Sequence, residues 1–175
     1  MNDFGTVTAP NTVRLERLLP GPVDLVWQYL TDPDKRGTWL AKGPMELHVG
    51  GEVELRFDFP QISDEPIPER YRSVEKGHTQ RGHVMQCEPP HLLCFTWNEK
   101  EGKTPSEVRF ELTQQGDRTR LIVTHSRLPD RKEMVSVASG WHAHLAAMAD
   151  RLEQRASPAF WTNVLQLNAE YEKRI

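Results

Sequence analysis

Residues 130–155, DRKEMVSVASGWHAHLAAMADRLEQR, decide the fold of this chain. Large apolar residues recur there every three or four positions, which places them on one stripe of an α-helix. The stripe consists of Met134, Val137, Trp141, Leu145, Met148 and Leu152. Asp130, with Glu133 three residues later, resembles an acidic capping box and predicts where the helix begins. A helix of this length is roughly 35 Å long, so it needs a broad surface to pack against.

Gly140 interrupts this helical pattern near its centre. An internal glycine costs a helix about 1 kcal/mol relative to alanine, so we expect another backbone to approach the helix closely at this point. Ala143, Ala146 and Ala147 lie off the apolar stripe and favour helix through their intrinsic propensity.

Bulk composition excludes several classes of protein. The chain has 175 residues, a net charge of -3 and a pI of about 6.2, which argues against a nucleic-acid partner or an anionic membrane surface. It has no apolar run long enough for a membrane span, and its first residues do not resemble a signal peptide. We therefore expect a cytoplasmic protein with a flexible tail at residues 1–11. Cys87 and Cys94 are expected to be reduced thiols.

The segment before the long helix alternates between apolar and polar residues, as strands do. Val53, Leu55, Phe57 and Phe59 share one face of a predicted strand, and charged residues occupy the other. Such alternation is typical of an antiparallel sheet that is covered on one face only, which predicts an α+β fold. The predicted elements are a strand at 12–19, short helices at 23–30 and 35–40, a hairpin at 45–59 turning at Gly50-Gly51, a loop at 60–78, and strands at 82–88, 91–97, 107–113 and 118–127.

A further helix is predicted after residue 156. Ser157 has the character of an N-cap, and Pro158 suits the first helical position. The apolar residues Phe160, Val164, Leu167 and Tyr171 are too many to leave in water. This helix must therefore dock, either on its own chain or against a second copy across a twofold axis. The chain can thus be a monomer or a homodimer.

A series of short motifs resembles the bacterial homologues of the activator of the heat-shock-protein-90 ATPase, a branch of the birch-pollen-allergen and START-like (SRPBCC) superfamily. The resemblance covers roughly residues 12–155 and implies a helix-grip fold. In that fold a curved antiparallel sheet of about six to seven strands surrounds a long C-terminal helix, with an apolar cavity between them. Residues 156–175 form an extension outside it. The motifs are Val26-Trp27, Asp32-Pro33, Trp39, Gly50-Gly51, Gly82-x-Val84, Pro89-Pro90, Leu92 to Trp97, Thr119 to Ser126, and Gly140-Trp141 with Leu145.

The leading functional hypothesis is non-enzymatic binding of an apolar or amphipathic small molecule in this cavity. One alternative is a co-chaperone-like domain that stimulates a chaperone ATPase, and another is a cyclase- or hydrolase-like enzyme of the same fold. No catalytic residue or cofactor is predicted. No metal site is predicted either, because His142 and His144 point about 200° apart on a helix and cannot bind one metal ion together. The candidate ligand-binding residues are Trp39, Phe57, Phe59, Phe95, Trp97, Phe110, Val123, His125, Trp141, Leu145 and Met148.

Phe57, Trp97, His125 and Trp141 are predicted to bound the cavity. By strand parity His125 shares the apolar face with Leu121 and Val123. It can be a buried histidine bonded to backbone or water, a polar anchor for a ligand, or a general base. The sequence does not decide among these roles.

Overall fold

The computed structural model describes residues 3–175 and contains a seven-stranded antiparallel sheet with one long helix across it. The predicted α+β helix-grip fold is confirmed. The elements are β1 (Thr6–Ala9), β2 (Thr12–Pro20), α1 (Val23–Thr31), α2 (Pro33–Gly37), β3 (Glu52–Phe57), β4 (His78–Glu88), β5 (Leu92–Trp97), β6 (Ser106–Gln115), β7 (Arg118–Ser126), α3 (Arg131–Leu152) and α4 (Phe160–Arg174).

The strand order in the sheet is β1-β2-β7-β6-β5-β4-β3. Strands β3 to β7 follow one another as antiparallel neighbours, and the first two strands join the sheet beside β7. In this register Val13 lies opposite His125 and Leu15 lies opposite Val123. The apolar face predicted from alternation is therefore continuous from β2 across the sheet to β3.

Helix α3 begins where the sequence predicted, because the Asp130 side chain accepts a hydrogen bond from the Glu133 backbone N–H at 2.8 Å. Trp141, Leu145 and Met148 are buried against the sheet. Ala143 and Ala147, which the pattern placed off the apolar stripe, are buried too. The reason is that α4 packs on α3, so the long helix has covered surfaces on two sides.

The predicted flexible tail at residues 1–11 is wrong for the residues that the structure describes. Residues 6–9 form β1, which pairs with β2 at one edge of the sheet. The Gly5 backbone N–H donates to the Tyr171 hydroxyl at 2.6 Å, and the Phe4 ring lies 5.4 Å from the Tyr171 ring. Helix α4 thus holds the N-terminal segment in place. Residues 1–2 of the predicted tail lie outside the described residues.

The predicted hairpin at 45–59 is only half present. Residues 52–57 form β3, but residues 45–49 form no strand and contribute one isolated bridge, between Met45 and Val53. Gly50 has a φ of +82° and donates its N–H to the Val84 carbonyl at 2.8 Å. The glycine pair therefore links this segment to β4 instead of closing a two-residue turn. Phe59 lies beyond the strand in a 3₁₀ helix.

The predicted helix at 35–40 is shorter and begins earlier, at Pro33, where the Asp32 side chain caps it. Its Arg36 is almost fully buried, and the guanidinium donates to the carbonyls of Leu30, Thr31, Ala41 and Gly43. Burial lowers the pKa of Arg36 to about 10. This side chain ties the end of α1 to the segment that leads into β3.

The C-terminal helix packs on its own chain, with Phe160, Trp161 and Tyr171 buried. The prediction that Ser157 caps the N-terminus of this helix is wrong. The Ser157 hydroxyl donates to Asp150, and the Glu65 carboxylate accepts the backbone N–H groups of Trp161 and Thr162 at 2.7 and 3.0 Å. The 60–78 segment, predicted as a loop, therefore supplies the cap of α4. It also contains a 3₁₀ helix at Glu69–Val74.

Within residues 3–175, no helix is both long and apolar enough to cross a bilayer.

Candidate functional site

A cleft of about 190 Å³ lies between the apolar face of the sheet and the first half of α3. Glu133 and Ser136 are exposed at its rim. The four residues predicted to bound a cavity all line it. The complete lining is Leu40, Phe57, Gln80, Trp97, His125, Glu133, Ser136, Val137, Gly140, Trp141 and His144.

Gly140 explains why the cleft exists at this point on the helix. The prediction that another backbone approaches Gly140 is wrong, because a Cβ added there meets no atom within 4 Å apart from its chain neighbours and the backbone of its own helix. The glycine instead leaves space between α3 and the sheet. Side chains on a helix lean toward its N-terminus, so a large residue at this position would extend over Ser136 and Val137, which also line the cleft.

The wall of the cleft is aromatic. The rings of Trp97 and Trp141 lie 5.3 Å apart, and Phe57 meets Trp97 edge-on at 6.2 Å. Phe110 packs edge-on against Trp141, with the two ring centroids 5.5 Å apart. Such ring pairs stabilise one another beyond their area of burial, so they form a firm apolar surface for a planar group.

His125 is fully buried and makes two side-chain hydrogen bonds. Its Nδ1 accepts from the Trp141 indole N–H at 3.0 Å, and its Nε2 lies 2.8 Å from the Ser106 hydroxyl. Burial lowers the pKa of His125 to about 3, so the ring is neutral near pH 7. Because an indole N–H can only donate, the single imidazole proton must be on Nε2. His125 therefore donates to Ser106 and fixes the orientation of Trp141.

Two polar side chains in the cleft were not among the predicted site residues. His144 donates from Nδ1 to the Trp39 carbonyl at 2.6 Å, and burial is the main cause that lowers its pKa to about 4. Gln80 lies on β4, on the same face as Gly82 and Val84. The alternation of β4, continued two residues before the predicted start at Gly82, would have placed Gln80 on the apolar face. His144 follows Trp141 by three residues on α3, which is the spacing of one helix face.

The remaining predicted site residues lie in the solid core and do not line the cleft. Trp39 is fully buried and donates its indole N–H to the Tyr29 carbonyl at 2.8 Å. Phe59 packs against Trp161 of α4 at 4.9 Å. An apolar face in sequence therefore overstates the site. The residues in the core are Trp39, Phe59, Phe95, Phe110, Val123, Leu145 and Met148.

A larger groove of about 440 Å³ lies on the surface between residues 60–65 and 156–158. Arg151 spans it and donates to the carbonyls of Ile62 and Arg155. Its lining has no aromatic side chain, and its Ser63, Glu65 and Arg151 side chains are hydrogen-bonded to distant segments of the chain. We therefore assign the candidate site to the smaller aromatic cleft.

No group of three or more potential metal ligands among residues 3–175 is arranged to hold a metal ion. Cys87 and Cys94 are free thiols. Burial raises the pKa of both thiols, which makes them poor nucleophiles at neutral pH.

The model of a protein family described as "Activator of Hsp90 ATPase homolog 1-like protein" matches residues 20–153. The chain belongs to this family. A search among curated proteins gives no match. Among solved structures, the solution NMR structure of the protein encoded by gene BPP1335 of Bordetella parapertussis is 42% identical, with a TM-score of 0.84. That comparison covers 99% of this chain and 91% of the Bordetella chain.

Two further solved structures share the fold at lower sequence identity. CalU16 from Micromonospora echinospora is 24% identical with a TM-score of 0.68, over 93% of this chain and 86% of CalU16. DynU16, from the dynemicin biosynthetic locus, is 25% identical with a TM-score of 0.61, over 85% of this chain and 49% of DynU16. The likeness of this activator-family chain to CalU16 shows the fold alone.

Proposed function

We propose that this protein binds an apolar or amphipathic small molecule in the cleft between its sheet and helix α3, without chemical turnover. The observation that carries the proposal is the combination of the aromatic wall with the open space above Gly140. Ligand sites are typically concave and apolar with a few fixed polar groups. This cleft has that composition, with Trp97 and Trp141 as its wall and Gln80 and His144 as polar groups.

The size of the cleft limits which part of a ligand it encloses. At about 190 Å³ it is smaller than the roughly 300–1,000 Å³ of pockets that enclose drug-sized ligands. A ring system can pack against Trp97 and Trp141, and the rest of a longer ligand passes the exposed rim at Glu133 and Ser136. This geometry supports an amphipathic ligand with its apolar end inside.

The proposal is tested with two variants at Gly140 and the neutral dye N-phenyl-1-naphthylamine, whose fluorescence rises in apolar surroundings. Gly140→Ala and Gly140→Leu both improve helix propensity by a similar amount, but only leucine fills the cleft. We expect saturable dye binding by the wild type and Gly140→Ala, and at least about tenfold weaker binding by Gly140→Leu, equivalent to about 1.4 kcal/mol. Equal affinity of the two variants, or no binding by the wild type, contradicts the proposal.

The second candidate function is a co-chaperone-like interaction that stimulates a chaperone ATPase. The family description supports it, as does a set of exposed apolar side chains near β4. Val49 is 71% exposed, Met85 is 45% exposed, and Leu47 is also exposed. Exposed apolar residues that lie close together often mark a protein contact. If the purified protein raises the ATP turnover of an Hsp90 chaperone, and Val49→Lys removes that effect, the interaction function is favoured over ligand binding.

The hydrogen bonds of His125 argue against the remaining hypothesis, a cyclase- or hydrolase-like enzyme with His125 as its general base. A general base toward Ser106 needs an unprotonated Nε2, but the indole of Trp141 places the proton there. The arrangement suits a structural role that orients Trp141 in the cleft wall.

A further inference from the structure

Among the described residues that line the cleft, Glu133 carries the one formal charge. This side chain lies in the first turn of α3 and is exposed at the rim. Its backbone N–H donates to Asp130, but across residues 3–175 its carboxylate makes no hydrogen bond or ion pair. The negative charge is therefore free to pair with a group of a bound molecule.

Two histidines of the lining add no positive charge to the cleft. Burial lowers the pKa of His125 to about 3 and is the main cause that lowers the pKa of His144 to about 4. Both rings are therefore neutral near pH 7. A ligand carboxylate entering the cleft would lose hydration and meet only the like charge of Glu133, which is unfavourable.

The two basic residues that precede Glu133 in the chain do not offset its charge inside the cleft. Arg131 is paired with Glu172 of α4 at 3.0 Å. Neither Arg131 nor Lys132 lines the cleft, and successive side chains on a helix point about 100° apart. The rim of the cleft thus presents a carboxylate without a cation beside it in the lining.

The free carboxylate and the open space of the cleft lie on the same face of α3. Gly140 follows Glu133 by seven residues, which is two helical turns or about 10 Å along the axis. Exposure falls along this face, from Glu133 and Ser136, which are exposed, to Trp141, which is buried. A ligand with its ring above Gly140 and a short chain directed to the rim can therefore bring a second group to Glu133.

We propose that the ligand of this cleft is an aromatic alkylamine, whose ring packs against Trp97 and Trp141 and whose ammonium group pairs with the Glu133 carboxylate at the rim. This inference rests on the proposed binding function and specifies its ligand class. The aromatic wall selects a planar group, and the unpaired carboxylate selects a positive charge. The negative faces of the tryptophan rings also favour a cation over an anion.

Three naphthalenes with the same three-carbon arm test the charge of the ligand at pH 7. The compound 3-(2-naphthyl)propylamine is a cation, 3-(2-naphthyl)propan-1-ol is neutral, and 3-(2-naphthyl)propanoate is an anion. We expect isothermal titration calorimetry in dilute buffer to give the tightest binding for the amine and the weakest for the propanoate. The alcohol should bind about fivefold more weakly than the amine, which is the upper range for one exposed ion pair. Salt at about 1 M should remove most of this difference, because it screens exposed charges.

Two variants locate the charge that is responsible. Glu133→Gln should remove the preference for the amine over the alcohol, because the amide keeps the shape of the side chain without its charge. Glu153→Gln makes the same change at an exposed position just beyond the other end of α3, and it should preserve the preference. Both variants change the net charge of the protein equally, so a general effect of charge would appear in both.

Equal affinity of the wild type for the amine and the alcohol in dilute buffer overturns the assignment of an amine while leaving the binding function intact. A preference for the propanoate, or an unchanged preference for the amine in Glu133→Gln, overturns it as well. If neither the naphthalenes nor N-phenyl-1-naphthylamine bind, the proposed function itself fails. Binding of N-phenyl-1-naphthylamine by Glu133→Gln shows that this variant is folded. The comparison of the three compounds on the wild type does not depend on any variant.

Discussion

Acidification from pH 7 to pH 5 should destabilise the protein strongly, because two histidines of the cleft are buried in the neutral form. Burial lowers the pKa of His125 to about 3 and is the main cause that lowers the pKa of His144 to about 4. In the unfolded chain both titrate near 6.5. Protons therefore bind to the unfolded state first as the pH falls, and the folded state loses stability below about pH 6.5.

The magnitude follows from these values. Between pH 7 and pH 5 each histidine becomes almost fully protonated in the unfolded chain and stays neutral in the folded one, which costs about 2 kcal/mol per residue. Together they remove about 4 kcal/mol, a large share of the roughly 5–15 kcal/mol by which domains are stable. Burial also lowers the pKa of His78 and is the main cause of the lowered pKa of His142, so these half-buried residues act in the same direction.

Urea unfolding followed by tryptophan fluorescence at pH 7, 6 and 5 measures this loss. His144→Asn, whose amide can still donate to the Trp39 carbonyl, should reduce the loss by about 2 kcal/mol. His48→Gln is the matched control, because the side chain of His48 is 68% exposed, and it should leave the pH dependence unchanged. An unfolding free energy that stays constant from pH 7 to pH 5 would refute the burial of neutral histidines in the cleft.

Three further changes test how the fold supports the cleft. Leu145→Asp places an unpaired carboxylate at a fully buried position and should cost about 4 kcal/mol or more; wild-type thermal melting would contradict the packing of α3. Glu65→Ala removes the cap of α4 and should cost about 1 kcal/mol in urea unfolding, whereas Asp64→Ala beside it should cost almost nothing; equal effects would disprove the cap. Truncation after Arg155 removes the buried Tyr171 and should lower the melting temperature without changing the number of chains in sedimentation. A dimer that becomes a monomer on truncation would instead place α4 at an interface between chains.

The sequence predicted those parts of the fold that have a strong local period. Apolar residues recur every three to four positions in helix α3 and every two positions in strands β5 to β7. Strand β1 has no such signal in its four residues, and its place depends on β2 and on Tyr171, which is 166 residues away from Gly5. The cap of α4 likewise comes from Glu65 in a distant segment. Contacts of this kind depend on tertiary packing, which local patterns do not contain.

The candidate site shows the same limit. Strand parity identified Trp97 and His125, and helical spacing identified Trp141, because parity and spacing define which face a side chain joins. Neither pattern shows whether that face is filled, so Phe95 and Leu145 were included although they belong to the solid core. The open space depends on Gly140, where the sequence indicated a special backbone position and the structure shows room instead of a close contact.

The five tryptophans allow the most direct test of binding in the cleft. Trp97 and Trp141 line the cleft, whereas Trp27, Trp39 and Trp161 do not. Two-dimensional ¹H–¹⁵N NMR resolves the indole N–H signal of each residue during a titration with N-phenyl-1-naphthylamine. We predict saturable shifts of the Trp97 and Trp141 signals, with the other three nearly unchanged. Shifts confined to Trp27, Trp39 or Trp161, or no shift at saturating dye, would contradict binding between the sheet and helix α3.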